Sequence, residues 1–133
     1  MKHLFSISLV IVMLASSTTF SQPEKQIVNK FEKEITLTLS ANYLLYLPKD
    51  YKDSDKNFPF VLFLHGAGER GTDIEKVKVH GLPKLINEGK EFPFIVVSPQ
   101  CPDGIFWNVD VLIALLDEVE VKYRADKNRI YVT

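Results

Sequence analysis

The sequence predicts an α/β fold with a largely parallel sheet, and two patterns along the chain lead to this prediction. Apolar runs in Phe58–Leu64, Phe94–Val97 and Arg129–Val132 are typical of strands that are covered on both faces. Helical patterns separate these runs, and successive strand–helix–strand units form parallel sheets with right-handed crossovers. The carboxyl ends of such strands share one edge of the sheet, which is where open α/β sheets bind ligands.

The first 21 residues have the three-part pattern of a secretory signal peptide. Met1–His3 is basic, Leu4–Ala15 is nearly all apolar, and Ser16–Ser21 is small and polar. The apolar run is shorter than the roughly 20 residues that cross a bilayer, so an uncleaved membrane anchor is the weaker alternative. We expect cleavage near Ser21, export to the periplasm or out of the cell, and no membrane association afterwards.

Residues 22–133 have the length of one domain. The whole chain carries 16 basic and 17 acidic residues, and removing the segment that contains Lys2 leaves 15 against 17, a net charge of −2. This balance provides no basic patch for nucleic acid or lipid, so we expect a small-molecule or polymeric partner. Cys101 is the single cysteine, which excludes an internal disulfide, and we interpret it as a small buried residue.

The first elements along the mature chain predict an N-terminal β-hairpin. Glu34–Leu39 alternates polar and apolar residues, which is the period of a strand with one solvated face. Tyr43–Leu47 reads as a second strand that ends at Pro48. Ser40–Asn42 is short enough to be the turn between the two strands.

Two helices are predicted between the apolar runs. Pro83–Glu88 is short, with proline in its first turn and Gly89 suited to a left-handed C-terminal cap. Asp110–Arg124 has apolar residues at helical spacing, and Asn108 can cap its start. The apolar positions of this helix are Leu112, Leu115, Leu116, Val119 and Tyr123.

The loop that follows Phe58–Leu64 reads HGAGERG, from His65 to Gly71. Its glycines let the backbone turn sharply and leave N–H groups open to an approaching carbonyl. Preorganised donors of this kind stabilise the oxyanion of an acyl-transfer intermediate, each by about 3 kcal/mol. A plain tight turn is the alternative interpretation. A phosphate-binding loop is excluded because no G-K-[ST] follows.

The segment Phe60–Gly71 resembles the oxyanion-loop region of α/β-hydrolases, and Ile95–Pro102 and Arg124–Thr133 resemble the same family in matching order. The resemblance covers roughly residues 35–133. It is strongest to secreted esterases similar to polyhydroxybutyrate depolymerases and phospholipase/carboxylesterases, while a sugar-ester or feruloyl esterase would share the chemistry. The resemblance implies an incomplete α/β-hydrolase sheet that lacks the C-terminal half.

The resemblance also implies a division of roles around the site. In that family a G-x-S-x-G elbow follows the strand equivalent to Arg129–Val132, and an Asp and a His come later. This sequence contains no such elbow. The resemblance therefore implies that the chain is the N-terminal part of a secreted serine esterase, with no catalytic residue and no activity of its own. It implies a carboxylic ester as substrate, no cofactor and no metal. The implied site residues are Gly66, Ala67 and Gly68 for the oxyanion hole, His65 for loop support, and Phe106 and Trp107 for the substrate pocket.

Other polar residues admit plainer interpretations. His80 suits a surface or capping position. Ser98 lacks the flanking glycines of an elbow, which makes a triad with His80 and Asp110 a weak alternative. A zinc site would lack the closely paired ligands of known metal motifs. Its candidate ligands would be His65, Asp73, His80 and Cys101.

Two further points stay open at the level of sequence. Glu69 and Arg70 form a solvated ion pair or order the loop, and Trp107 belongs to the core or to the pocket. The alternative function is a non-catalytic α/β-hydrolase-like binding module that uses the loops near Gly66 and Trp107. In either case Ile130–Val132 would form an open sheet edge, which promotes association.

Overall fold

The computed structural model describes residue 26 and residues 28–133. The predicted signal peptide lies outside these residues. The chain divides into two units, Met1–Ile35 and Thr36–Thr133. The described residues of the first unit form neither helix nor strand, and they are exposed. No helix in the described part of the chain is long and apolar enough to span a bilayer.

The second unit contains a mixed four-stranded sheet. Its strands are β1 (Tyr43–Tyr46), β2 (Phe58–Leu62), β3 (Ile95–Pro99) and β4 (Ala125–Val132). They lie in the order β1-β3-β2-β4, with β2 parallel to both β3 and β4 and with β1 antiparallel to β3. The α/β class and the parallel βαβαβ arrangement predicted from the sequence are therefore confirmed.

The predicted N-terminal hairpin is wrong. The described residues 28–42 contain no strand, and the apolar side chains of Leu37 and Leu39 are exposed. Instead, β1 pairs with β3, with Tyr43 opposite Pro99. A two-stranded hairpin is marginal in water, and alternation yields a strand where a covered sheet face is available. Only the second half of the predicted hairpin meets that condition, because β3 offers it a paired and buried neighbour.

The two predicted helices are present, each within about two residues of its predicted bounds. α1 spans Gly81–Asn87 and α2 spans Val109–Lys122. The side chain of Asn108 caps α2, because its Oδ1 accepts from the N–H groups of Asp110 at 2.8 Å and Val111 at 3.4 Å. Gly89 has a φ of 91°, the left-handed conformation expected after α1.

The two helices lie on opposite faces of the sheet. One face packs on α2, and its buried residues alternate along β2 and β3, as the period of a strand requires. This core cluster comprises Phe58, Phe60, Leu62, Ile95, Val97, Leu115, Val119 and Ala125. On the other face, Val96 and Ser98 share the wall of a small cavity with Pro83 and Ile86 of α1. β3 is therefore covered on both sides and β2 largely so, which explains their continuous apolar sequences. β4 is not, because Tyr131 and Val132 are exposed, so the predicted cover on both faces is wrong for Arg129–Val132.

The strand β4 begins four residues before the strand predicted from the sequence and is irregular. Ala125 lies opposite Phe58, and the next registered pair is Ile130 opposite Phe60, so the intervening residues of β4 bulge outwards. The carboxylate of Asp126 accepts from the backbone N–H of Asn128 at 3.0 Å, a bond that lowers the pKa of Asp126. The bulge hides the strand from sequence reasoning because its residues are polar.

The outer surfaces of β4 and α2 predict association of this chain. Exposed apolar side chains on these two elements are Val109, Ile113, Val121, Tyr131 and Val132. We expect the chain expressed by itself to be insoluble or molten, or to elute above its monomer mass of 15.2 kDa in gel filtration.

Two lysine substitutions test which surface is responsible for that association. Val132→Lys on the edge strand should reduce association, and Val79→Lys, at an exposed apolar position outside β4 and α2, should leave it unchanged. A monomer with a sharp cooperative melt would contradict the prediction.

Candidate functional site

The three parallel strands end at one edge of the sheet, and backbone hydrogen bonds join two of these ends. The N–H of Thr133 donates to the carbonyl of Leu62 at 3.0 Å, and the N–H of Leu64 donates to the carbonyl of Thr133 at 2.7 Å. The residue that follows β4 is thereby held beside the residues that precede His65. The loop after β2 therefore starts directly next to the carboxyl end of β4.

The loop after β2 presents unpaired amides to solvent. Gly66 is extended, with φ −78° and ψ −172°, and a 3₁₀ turn follows at Ala67–Glu69. The first N–H groups of a helical turn have no internal acceptor. In the described chain, the N–H groups of Ala67 and Gly68 donate to no other group, and both residues are exposed. Such amides can bind an oxygen that carries negative charge.

The two loop glycines differ in the space around them. A side chain on Gly66 would place its Cβ 3.3 Å from the carboxylate of Glu69, whereas a Cβ on Gly68 would meet nothing within 4 Å. Neither glycine has a positive φ. Substitution is thus tight at Gly66 and open at Gly68, a difference that the sequence motif does not reveal.

His65 is buried below this loop, and both of its ring nitrogens are engaged. Nε2 accepts from the N–H of Cys101 at 2.9 Å, so the proton resides on Nδ1, which donates to the carbonyl of Gly66 at 2.6 Å. The ring also packs on Trp107 with 4.8 Å between centroids. A histidine with both nitrogens occupied has no site to accept a proton from a nucleophile. These contacts are the ones that a loop-supporting residue would make, and the support role itself stays a prediction.

Glu69 and Arg70 do not pair with each other, so the interpretation as a solvated ion pair is wrong. Glu69 is only 7% exposed, and its Oε1 lies 3.4 Å from Nε2 of His80. The guanidinium of Arg70 lies over the ring of Phe106, 5.0 Å from its centroid. The carboxylate is therefore held under the loop while the guanidinium faces the neighbouring loop.

The largely exposed side chain of His80 makes no capping hydrogen bond to α1.

Two residues after β3 bind the loop after β2 at four points. The side-chain nitrogen of Gln100 donates to the carbonyls of Glu69 at 2.9 Å and of Asp73 at 2.7 Å. The N–H of Gly71 donates to the carbonyl of Cys101 at 3.0 Å. The bond from Cys101 N–H to the ring of His65 completes the set. Sequence reasoning missed Gln100, although a polar residue directly after a buried strand was a usable signal.

The predicted pocket residues line a cavity beside the loop. Phe106 and Trp107 border a cavity of about 340 Å³ together with Asn42, Gln100 and Leu112. Trp107 is half-buried and contacts the ring of His65 on one side, so it serves both the packing and the cavity wall. The residues Gly66 to Gly68 do not line this cavity, which lies at the same sheet edge.

Cys101 is buried, as expected for a structural residue.

The alternative catalytic and metal sites are not assembled. Ser98 is buried within β3 and forms no hydrogen bond to His80 or Asp110 in the part of the chain that the structure describes. Among the same residues, no group of three or more histidine, cysteine, aspartate or glutamate side chains could hold a metal ion. The candidate zinc ligands therefore do not converge.

The sheet order, the parallel strands and the covering helices match part of an α/β-hydrolase-like fold. The match is to a solved structure described as a thermostable esterase, with 30% sequence identity and a TM-score of 0.52. It covers 68% of this chain and 28% of the esterase chain, so the present chain spans little more than a quarter of that protein. No model of a known protein family and no curated protein matches the chain.

Proposed function

We propose that this chain is the N-terminal part of an exported serine esterase that acts on small or polymeric carboxylic esters. The branch that the motifs favour is that of secreted esterases similar to polyhydroxybutyrate depolymerases and phospholipase/carboxylesterases. The hydrogen bonds between Thr133 and the residues Leu62 and Leu64 carry this proposal. An elbow that follows β4 would start beside the exposed amides of the loop, which is the arrangement that acyl transfer needs.

The chemistry follows from that arrangement. A serine in the elbow attacks the ester carbonyl, and the charge that develops on the carbonyl oxygen is met by the N–H of Ala67. The residue after the serine supplies the second N–H, and each donor contributes about 3 kcal/mol to transition-state stabilisation. An Asp and a His from the later part of the parent protein activate the serine. The hydrogen bonds of His65 and Gln100 support the proposal because donors need to be held in place before the reaction.

The test combines the gene sequence downstream of Thr133 with an assay of ester hydrolysis. We expect G-x-S-x-G within a few residues of Thr133 in the parent gene. The 133-residue chain should not hydrolyse p-nitrophenyl acetate above the buffer rate. The longer product of the parent gene, which contains the elbow, should hydrolyse it, and changing its elbow serine to alanine should abolish that activity. A stop codon directly after Thr133 in intact genomic sequence would argue against the proposal.

A non-catalytic binding module is the second candidate, and the cavity beside Trp107 favours it. This function predicts affinity for short esters without turnover, measured by calorimetry, and a loss of that affinity in Trp107→Ala. Turnover that persists after every serine of residues 22–133 is changed to alanine would defeat both functions.

A further inference from the structure

We infer that Gln100 is the positioning residue of the loop after β2, and that its carboxamide holds the candidate oxyanion donors in place. This inference rests on the proposed function for its catalytic meaning. Its structural content is independent of that function, because it concerns which group fixes the backbone between Glu69 and Asp73.

The carboxamide spans the second half of the loop. Its single nitrogen donates to two carbonyls, that of Glu69 at 2.9 Å and that of Asp73 at 2.7 Å. Glu69 ends the 3₁₀ turn that starts at Ala67, and Asp73 caps the next 3₁₀ helix, Ile74–Val79. One side chain therefore joins the end of the turn that carries the exposed amides to the start of the next element.

Gln100 is itself firmly placed. Its side chain is buried, and its backbone N–H donates to the carbonyl of Asn42 at 2.8 Å, which anchors it to the segment before β1. The first half of the loop is held separately, because the ring of His65 accepts from the N–H of Cys101 at 2.9 Å. The adjacent residues Gln100 and Cys101 thus hold both ends of the loop from one rigid strand end.

The chemistry of this position favours an amide. The carbonyls of Glu69 and Asp73 each accept one bond from this side chain, and a carboxamide nitrogen supplies two donors without a charge. The other atom, Oε1, is buried and has no partner in the described chain. A buried polar atom without a partner lowers the stability of the fold, so the two bonds of the nitrogen to the loop are the stabilising hydrogen bonds of this side chain.

The test is peptide-level hydrogen exchange on the 133-residue chain, which tolerates association of the protein. In Gln100→Leu, the hydrogen-bonded amide of Gly71 should exchange at least about tenfold faster than in the wild type, which corresponds to 1.4 kcal/mol of lost local protection, while the unpaired amides of Ala67 and Gly68 should exchange fast in both proteins. Peptides from β2 and β3 should keep their protection.

Tyr46→Phe is the matched control. The hydroxyl of Tyr46 accepts from the N–H of Phe92 at 2.9 Å and donates to its carbonyl at 3.3 Å, so the control also removes two side-chain bonds to the backbone. These bonds lie between β1 and the segment before β3. We expect exchange of residues 65–73 to stay within about twofold of the wild type in this variant.

A second variant separates positioning from a general loss of packing. In Gln100→Glu at neutral pH, a carboxylate would face two carbonyl oxygens, and the loop should exchange as fast as in Gln100→Leu. As the pH falls, the introduced carboxyl takes up a proton and can donate to one carbonyl. Its loop should then exchange more slowly than that of Gln100→Leu at the same pH. If Gln100→Leu unfolds the whole chain, the protection factors of the Gln100→Glu loop at low and at neutral pH are compared instead, and equal values overturn the inference.

Three results would overturn the inference: equal loop exchange in the wild type and Gln100→Leu, equal acceleration in Tyr46→Phe, or a wild-type loop that exchanges at the unfolded rate while β2 and β3 stay protected. Failure of the esterase proposal is seen separately, as absence of ester hydrolysis in the longer product, and it leaves the exchange result unchanged.

Discussion

Replacing Ala67 with proline should lower kcat of the elbow-containing protein by about 10²–10³-fold with little change in KM or in folding. Proline removes the N–H proposed to bind the oxyanion. The backbone accepts it, because Ala67 is the first residue of its 3₁₀ turn and Gly66 before it is extended at φ −78° and ψ −172°. The measurement is steady-state hydrolysis of p-nitrophenyl acetate, with circular dichroism to verify the fold.

Gly68→Ala is the control for this substitution. The variant keeps the N–H of residue 68. Gly68 has no positive φ, so alanine is not strained there, and the added Cβ enters open space. We expect its kcat to stay within about threefold of the wild type. If Ala67→Pro is folded and equally active, Ala67 is not an oxyanion donor and the proposed role of the loop fails.

Replacing Phe60 with alanine in the elbow-containing protein should lower its free energy of unfolding by about 3–5 kcal/mol. Phe60 is 0% exposed, and it lies in the central strand between Ile95 of β3 and Ile130 of β4. Removing its ring leaves a cavity that rigid neighbours on both sides cannot fill. Urea denaturation followed by circular dichroism measures the loss, and a change of this size is a large fraction of the stability of a small domain.

The same chemical change at Phe106 is the comparison. Phe106 is 82% exposed, and its ring contacts the guanidinium of Arg70. We expect Phe106→Ala to cost no more than about 1 kcal/mol, the value of an exposed cation–π pair. Equal losses at the two positions would show that β2 is not the centre of the core.

The parallel part of the fold was predictable because its signals are local. Continuous apolar runs need cover on both faces, and helical spacing with a capping asparagine defines α2 almost to the residue. The predicted hairpin was wrong because its signal was local while the pairing of its strands is not. The alternation in Glu34–Leu39 suits a strand with one buried face. Whether a segment becomes such a strand depends on pairing with β3, and Tyr43–Tyr46 is the segment that pairs there.

The candidate site was predictable in its backbone and not in its support. The glycines after β2 indicated exposed amides, and the structure has unpaired N–H groups at Ala67 and Gly68 within the described residues. The polarity of Gln100 after a buried strand was a signal, but its hydrogen-bond partners were not predictable, because they lie about 30 positions away in the sequence. No local period or motif encodes such a contact.

The amino-acid sequence by itself determined the α/β class, the helices and the glycine loop at the end of β2, because periodicity, caps and backbone freedom act within a few residues. Tertiary structure alone decided that β1 pairs with β3, that the end of β4 lies beside that loop, and that Gln100 and His65 form hydrogen bonds between the two neighbouring loops. These features arise when distant segments share one sheet edge, where buried carbonyls and ring nitrogens have to find partners that only the folded chain brings near.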